Sequence, residues 1–382
     1  MATELANELL DNNLLQRLGE LPAYGALTEA RVWREAATRH TQGSYQALFE
    51  AFGDAPPNLA TRLQLAAEVA HLNANPQLAE HYRQQLPTPS SAASEASPEI
   101  AAALNYAARV TLQPASATPA HLQALLDSGW SLPAVITLAQ IVAYVNFESR
   151  LLVGLRLLAG HEVPATQNTP VTAGFWNRSS TTHSGRPSPD VFTQEELSWE
   201  PWLPPRTTTE LSPQERQLLE SFGQLDSDYF RLLAHNLPVL VQRTLTDRGI
   251  FFTPEGLPRA ERELAAAVTS KVNGCIFCAS VHARKASQLS KRNDDVERLL
   301  AIAPGDDLTS GFEPRWQALI DFAARLAATP ARPTAESLER LRGLGLDTLA
   351  LLDLVQSVAF FSWANRLMLT LGEPFRQQAT EP

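Results

Sequence analysis

Cys275 and Cys278 are the only two cysteines of the 382-residue chain, and His282 follows the second by four residues. Two cysteines cannot build a disulfide framework, so a Cys-x-x-Cys placed directly after Asn273-Gly274 points to chemistry rather than packing. On one α-helix these three side chains would fall within about a 60° arc. Two thiols and an imidazole would share a face, with the first thiol near the helix N-terminus. There the helix dipole and the free N–H groups favour a thiolate. Three other readings compete. A structural zinc site wants four ligands, and this motif supplies three. A thioredoxin-type motif sits between a strand and a helix, whereas residues 258–272 read as an alanine-rich helix. Buried cysteines can also be small apolar core residues. A redox dithiol makes most use of the adjacency of both thiols and the histidine.

Glu263 lies twelve positions before Cys275, in an alanine-rich stretch. Taken alone, it reads first as a carboxylate on a solvated helix face. The full pattern Glu-x11-Cys-x2-Cys-x3-His, with Asn273-Gly274 ahead of the first cysteine, resembles the alkylhydroperoxidase D and carboxymuconolactone decarboxylase-like family. The match is specific over about thirty residues, and helical patterning extends it over most of 210–375. The resemblance implies an all-α fold and a cofactor-independent peroxidase. Cys278 would attack the peroxide and become a sulfenic acid, and Cys275 would resolve it to a disulfide for an external dithiol or thiol reductant protein to reduce. His282 would help deprotonate Cys278, and Glu263 would serve a proton relay through Cys275 or a water. Members of the family often have a histidine immediately before the second cysteine; Phe277 stands there in this chain.

Residues 104–152 align without gaps on a stretch ending at residue 368, at a single offset of 216. The offset pairs Arg109 with Arg325, Gly129 with Gly345, Gln140 with Gln356 and Arg150 with Arg366. Shared helical periodicity does not produce paired Gly, Gln and Arg at a fixed spacing, so the chain reads as an internal duplication. Residues 62–83 resemble 262–284 at an offset of 200, where Leu63, Asn75, Leu78 and Tyr82 replace Glu263, Cys275, Cys278 and His282. The first copy therefore keeps the helical frame without the dithiol chemistry. Glu80 and His81, beside the vacated histidine position, read as solvated helix residues.

These elements give an all-α expectation of two homologous helical domains. Residues 1–160 form the degenerate copy and 211–382 the copy with the Cys-x-x-Cys, joined by a Pro/Ser/Thr-rich linker at 161–210. Phe175, Trp176, Trp199, Trp202 and Leu203 are too many apolar anchors for a free linker, so it should cross a domain surface or reach over the active site, with Trp199 and Trp202 as docking points. A second low-complexity run, 87–99, reads as a loop ending where Ser97-Pro98 opens a helix. The apolar run 349–372 is broken by Asp353, Gln356, Ser357, Asn365 and Arg366, which is too polar for a membrane span and fits a buried core helix. For Arg150 and Arg366 an interhelical salt bridge is preferred over anion binding. A net charge of −10 without a basic stripe argues against nucleic acid. The first residues lack a signal-peptide pattern, and reduced-thiol chemistry suits the cytoplasm. A homo-oligomer is expected. Alternatives to the peroxidase are a decarboxylase or isomerase acting on a lactone or related acid, and a non-catalytic redox sensor.

Overall fold

The computed structural model describes residues 8–87, 97–162 and 171–377, and helices dominate it. Most of the 87–99 run falls outside the described residues, but Ser97 caps the helix Pro98–Leu112 by accepting from the Ile100 N–H, with proline in the first turn. Ser212 does the same for Pro213–Ser221, in a capping box with Glu215.

Two long helices, Leu132–Leu158 and Thr348–Thr370, pack along each other at the centre. Both are apolar on nearly every face, and almost every side chain they carry is buried, as such helices require. Leu132–Leu158 is long and apolar enough to cross a membrane by length and composition, yet 89% of an 18-residue apolar segment within it is buried inside the protein. Around this pair the elements follow one order in each half. A helical hairpin (Leu59–Leu72 with Pro76–Gln84, Arg259–Asn273 with Ile276–Ser290) precedes a helix (Pro98–Leu112, Pro314–Ala327) that packs on the long one. One continuous hydrophobic core runs through both halves.

Details repeat with the elements. The buried Arg62 donates to the carbonyls of Pro57, Leu48 and Ala55, and the buried Arg262 to those of Leu257, Ile250 and Glu255. Among the described residues Arg150 and Arg366 do not form the expected salt bridges. Each crosses to the other half and donates to main-chain oxygen, Arg150 to Ala327 and Ala328, Arg366 to Thr111. The offset of 216 that relates the two arginines also relates Thr111 to Ala327.

The described part of the linker lies on the second half. Leu197–Pro201 pairs antiparallel with Gly372–Arg376, a small ladder the sequence pattern did not suggest. Trp199 donates to the Met368 carbonyl and Trp202 to Glu373, so both tryptophans dock as expected. Trp176 and Phe192 flank the buried Lys271 ammonium at 4.6 and 4.1 Å, and burial brings that lysine down to about 7. Phe175 is no anchor; it is 84% exposed.

Candidate active site

The helix Arg259–Asn273 ends at Gly274, whose φ of 78° lies in the left-handed region that suits a glycine cap. A Cβ at this position would also collide with the Phe175 carbonyl oxygen. Cys275 then adopts extended backbone, φ −90° and ψ 93°, and caps the helix Ile276–Ser290, leaving Cys278 in the first turn. Cys275 therefore stands just outside the helix that carries Cys278, and first-turn main-chain N–H groups act on both sulfurs, those of Phe277 and Cys278 on the first and that of Cys278 on the second.

Their electrostatics nevertheless diverge. The Cys275 thiol donates to the Cys278 sulfur, and this bond outweighs burial; with the Asn365 amide, the Arg243 charge and a main-chain N–H it holds Cys278 below the ordinary thiol range. Burial, followed by the hydrogen bond and charge of its neighbour, pushes Cys275 well above that range. Asn365 is itself fixed, donating to Ser270 at 3.0 Å and accepting from Asn273 at 3.0 Å. Both cysteines are free thiols. Cys278 is 5% exposed and lines a cavity of about 660 Å³, whereas Cys275 lies behind it at 1%.

His282 lines the same cavity. Its Nδ1 lies 2.5 Å from one oxygen of Glu263, and Arg259 Nε donates to the other at 2.6 Å. Glu263 is fully buried, which replaces the solvated-face reading. Burial pushes its carboxyl up, but the His282 and Arg259 contacts prevail and hold it below the usual value. The Phe361 ring stands edge-on to the imidazole with centroids 4.1 Å apart. Among the described residues no hydrogen bond joins His282 or Glu263 to either sulfur, so the carboxylate reaches the imidazole and not Cys275. With Nδ1 engaged, Nε2 is the ring nitrogen left for proton exchange.

Aromatic rings form much of the cavity wall, among them Phe251, Phe277, Phe360 and Phe361. Phe277 stands immediately before Cys278. Sequence reasoning missed Arg259, Tyr229, Arg243 and Asn365. An Arg four residues before Glu263 was a readable i,i+4 pair; the other three come from elements with no spacing relation to the motif. Asp247 also lines the cavity, with its carboxyl raised by burial. Among the described residues no cluster of three or more His, Cys, Asp or Glu could hold a metal ion.

The first half differs at each corresponding position. Asn75 caps Pro76–Gln84 as Cys275 caps its helix, Leu63 and Leu78 are fully buried, and Tyr82 donates to Glu148 at 2.5 Å. Tyr144 donates to the other oxygen of Glu148 at 3.1 Å. His81 is not simply solvated; it meets the Tyr45 hydroxyl at 2.9 Å, and burial lowers it to about 4. Burial raises the fully enclosed Glu148 to about 7, from 4.5. A carboxyl raised on folding binds more protons in the native state between these values, so its contribution is complete below about pH 4.5 and is lost as pH rises through about 7. Over that window Glu148 should cost on the order of 3 kcal/mol. Urea denaturation of Glu148→Gln across the same pH range should show a correspondingly flatter stability profile than wild type. Equal slopes would mean that the carboxyl is not protonated on folding.

Residues 240–325 match the family model described as the carboxymuconolactone decarboxylase family, a span that includes Glu263, Cys275, Cys278 and His282. No curated protein matches the chain.

Proposed function

We propose that this carboxymuconolactone decarboxylase family protein is a thiol-dependent peroxidase of the alkylhydroperoxidase type, with Cys278 as the attacking thiol. One observation carries the reading: the cysteine that faces the cavity is also the one held toward the thiolate, while its neighbour stays protonated behind it. Attack of the Cys278 thiolate on a hydroperoxide breaks the O–O bond, oxidises the sulfur to a sulfenic acid and expels an alkoxide that takes up a proton. His282 is the cavity residue suited to supply that proton, and Glu263 orients its ring through Nδ1. Cys275 then displaces water from the sulfenic acid to form a disulfide, and an external dithiol returns both cysteines to thiols. The aromatic wall and the cavity volume favour organic hydroperoxides over hydrogen peroxide.

Turnover of cumene or t-butyl hydroperoxide with a dithiol donor tests the assignment. The decarboxylase or isomerase alternative would keep its activity after both cysteines are lost, and a redox sensor would be oxidised stoichiometrically without turnover. His282→Asn should slow the peroxide reaction about 10²- to 10⁴-fold, the usual range for a proton-transfer residue, with little change in thermal stability. A full rate in that variant would remove His282 from the mechanism.

The two halves are read as tandem copies, the first kept for structure. The reciprocal Arg150 and Arg366 contacts support this, because a two-fold relation makes each side give what it receives. A chain built this way would supply within itself a contact that single-copy relatives make between subunits. A reducing compartment such as the cytoplasm suits the free thiols.

A further inference from the structure

We propose that Tyr229 and Arg243 bind the peroxide group above Cys278, the arginine holding the charge that passes from sulfur to oxygen and the phenol donating to the departing oxygen. This rests on the reading of Cys278 as the attacking thiol and adds two residues that the Glu-Cys-Cys-His motif does not contain. Both line the Cys278 cavity. Tyr229 comes from the short helix Asp228–Leu233 and Arg243 from the helix Leu237–Phe251, so neither belongs to the cysteine hairpin.

Both side chains are buried, and one polar atom of each lacks a hydrogen-bond partner among the described residues. Tyr229 is 9% exposed and Arg243 6%, and neither the Tyr229 hydroxyl nor Arg243 Nε has a hydrogen-bond partner. Among the described residues the Arg243 guanidinium forms no hydrogen bond or ion pair. It is enclosed instead by rings, with centroids of Tyr229 and Phe360 at 5.5 and 5.1 Å. A buried donor left unsatisfied costs roughly 1–3 kcal/mol, more when charged, so two beside one nucleophile call for an acceptor that arrives with the reaction. The Trp199 ring stands edge-on to Tyr229 at 5.5 Å and fixes the phenol in place.

The chemistry fits the donors. As Cys278 sulfur bonds one peroxide oxygen, the O–O electron pair leaves with the other, and negative charge moves a few ångströms. A fixed cation serves both ends of that movement without reorganising. Arg243 already acts on the Cys278 thiolate. Burial, more than any other cause, raises the Tyr229 phenol to about 12, so it remains a donor throughout the physiological range. The hydrogen bond from the phenol steadies the alkoxide while His282, on the same wall, supplies its proton.

The test compares two reactions of Cys278 in the full chain: sulfenic acid formation with cumene hydroperoxide in a single turnover, and alkylation by iodoacetamide. Iodoacetamide reports thiolate and access but has no departing oxygen. Tyr229→Phe, which removes one oxygen from an otherwise unchanged ring, should slow the peroxide reaction about 10²-fold, near the cost of losing one oxyanion donor. Its alkylation rate should stay within about twofold of wild type. Arg243→Gln should slow both reactions, the peroxide reaction more, and Arg243→Lys should recover part of the loss. An unchanged ratio of the two rates in Tyr229→Phe and Arg243→Gln would overturn the assignment while leaving the peroxidase standing. A wild-type protein that alkylates at Cys278 yet forms neither sulfenic acid nor disulfide with the hydroperoxide would overturn both.

Discussion

Cys278→Ser should abolish peroxide turnover, a loss on the order of 10³-fold or more, as expected when the nucleophile of a covalent mechanism is removed. A serine hydroxyl at the same helix terminus does not ionise in the accessible pH range, so the surrounding donors have no anion to stabilise. Cys275→Ser should behave differently. The first turnover proceeds and then stops at the sulfenic acid, which a dimedone adduct on Cys278 would record by mass spectrometry. Cys275→Ala removes the hydrogen bond that does most to hold Cys278 below the thiol range, so the pH profile of its first turnover should move to higher pH. The sign is fixed by the reactive form: the rate rises with pH until Cys278 is ionised, and a raised pKa delays that rise. Turnover that survives Cys278→Ser, or a Cys275→Ser protein that cycles normally, would exclude the dithiol mechanism.

How much of this was legible depended on whether the signal was local. The Cys275-x-x-Cys278 spacing, His282 one turn on and Glu263 on the preceding helix are all within one hairpin, and periodicity places them on facing surfaces. What periodicity could not give was the break at Gly274, which makes Cys275 the cap of the second helix and leaves Cys278 in its first turn. Glu263 looked solvated because a carboxylate among alanines has no visible partner in sequence; its partners are Arg259, four residues earlier, and His282, across the hairpin turn. Tyr229, Arg243 and Asn365 were illegible for another reason. They arrive from three separate helices, and only tertiary packing brings them to the sulfur. The strand Leu197–Pro201 is similar: its pairing partner lies near the far end of the chain, and five residues containing a proline give no alternation to read. Arg150 and Arg366 were mistaken for salt-bridge residues because charge suggests charge. Buried guanidinium groups can bond main-chain carbonyls instead, and both do, although Arg366 Nε is left without a partner among the described residues.

The polar interruptions of the helix Thr348–Thr370 lead to the largest expected effect on stability. Asp353 is fully buried, takes two bonds from Arg34 at 2.7 and 2.9 Å, meets Arg262 at 3.0 Å and accepts from the Leu257 N–H at 2.9 Å. Arg34 belongs to the first half and Arg262 to the second, so one carboxylate ties the halves together inside the core. Asp353→Ala should cost roughly 3–5 kcal/mol, because it strands buried cations rather than merely deleting an attraction. The two arginines would suffer unequally. Arg262 keeps carbonyl acceptors at Leu257 and Ile250, whereas among the described residues Arg34 keeps only the Glu255 carbonyl. Most of the cost should therefore come from Arg34, and adding Arg34→Met to Asp353→Ala should recover part of it. Urea denaturation of the wild type, both single variants and the double variant measures that coupling directly. By contrast, loss of the exposed Arg39–Glu35 pair should cost no more than about 0.5 kcal/mol. If Asp353→Ala were as mild as that surface change, the carboxylate would not be what joins the halves. The reciprocal arginine–carbonyl contacts and the packing of the two long helices would then have to hold them together.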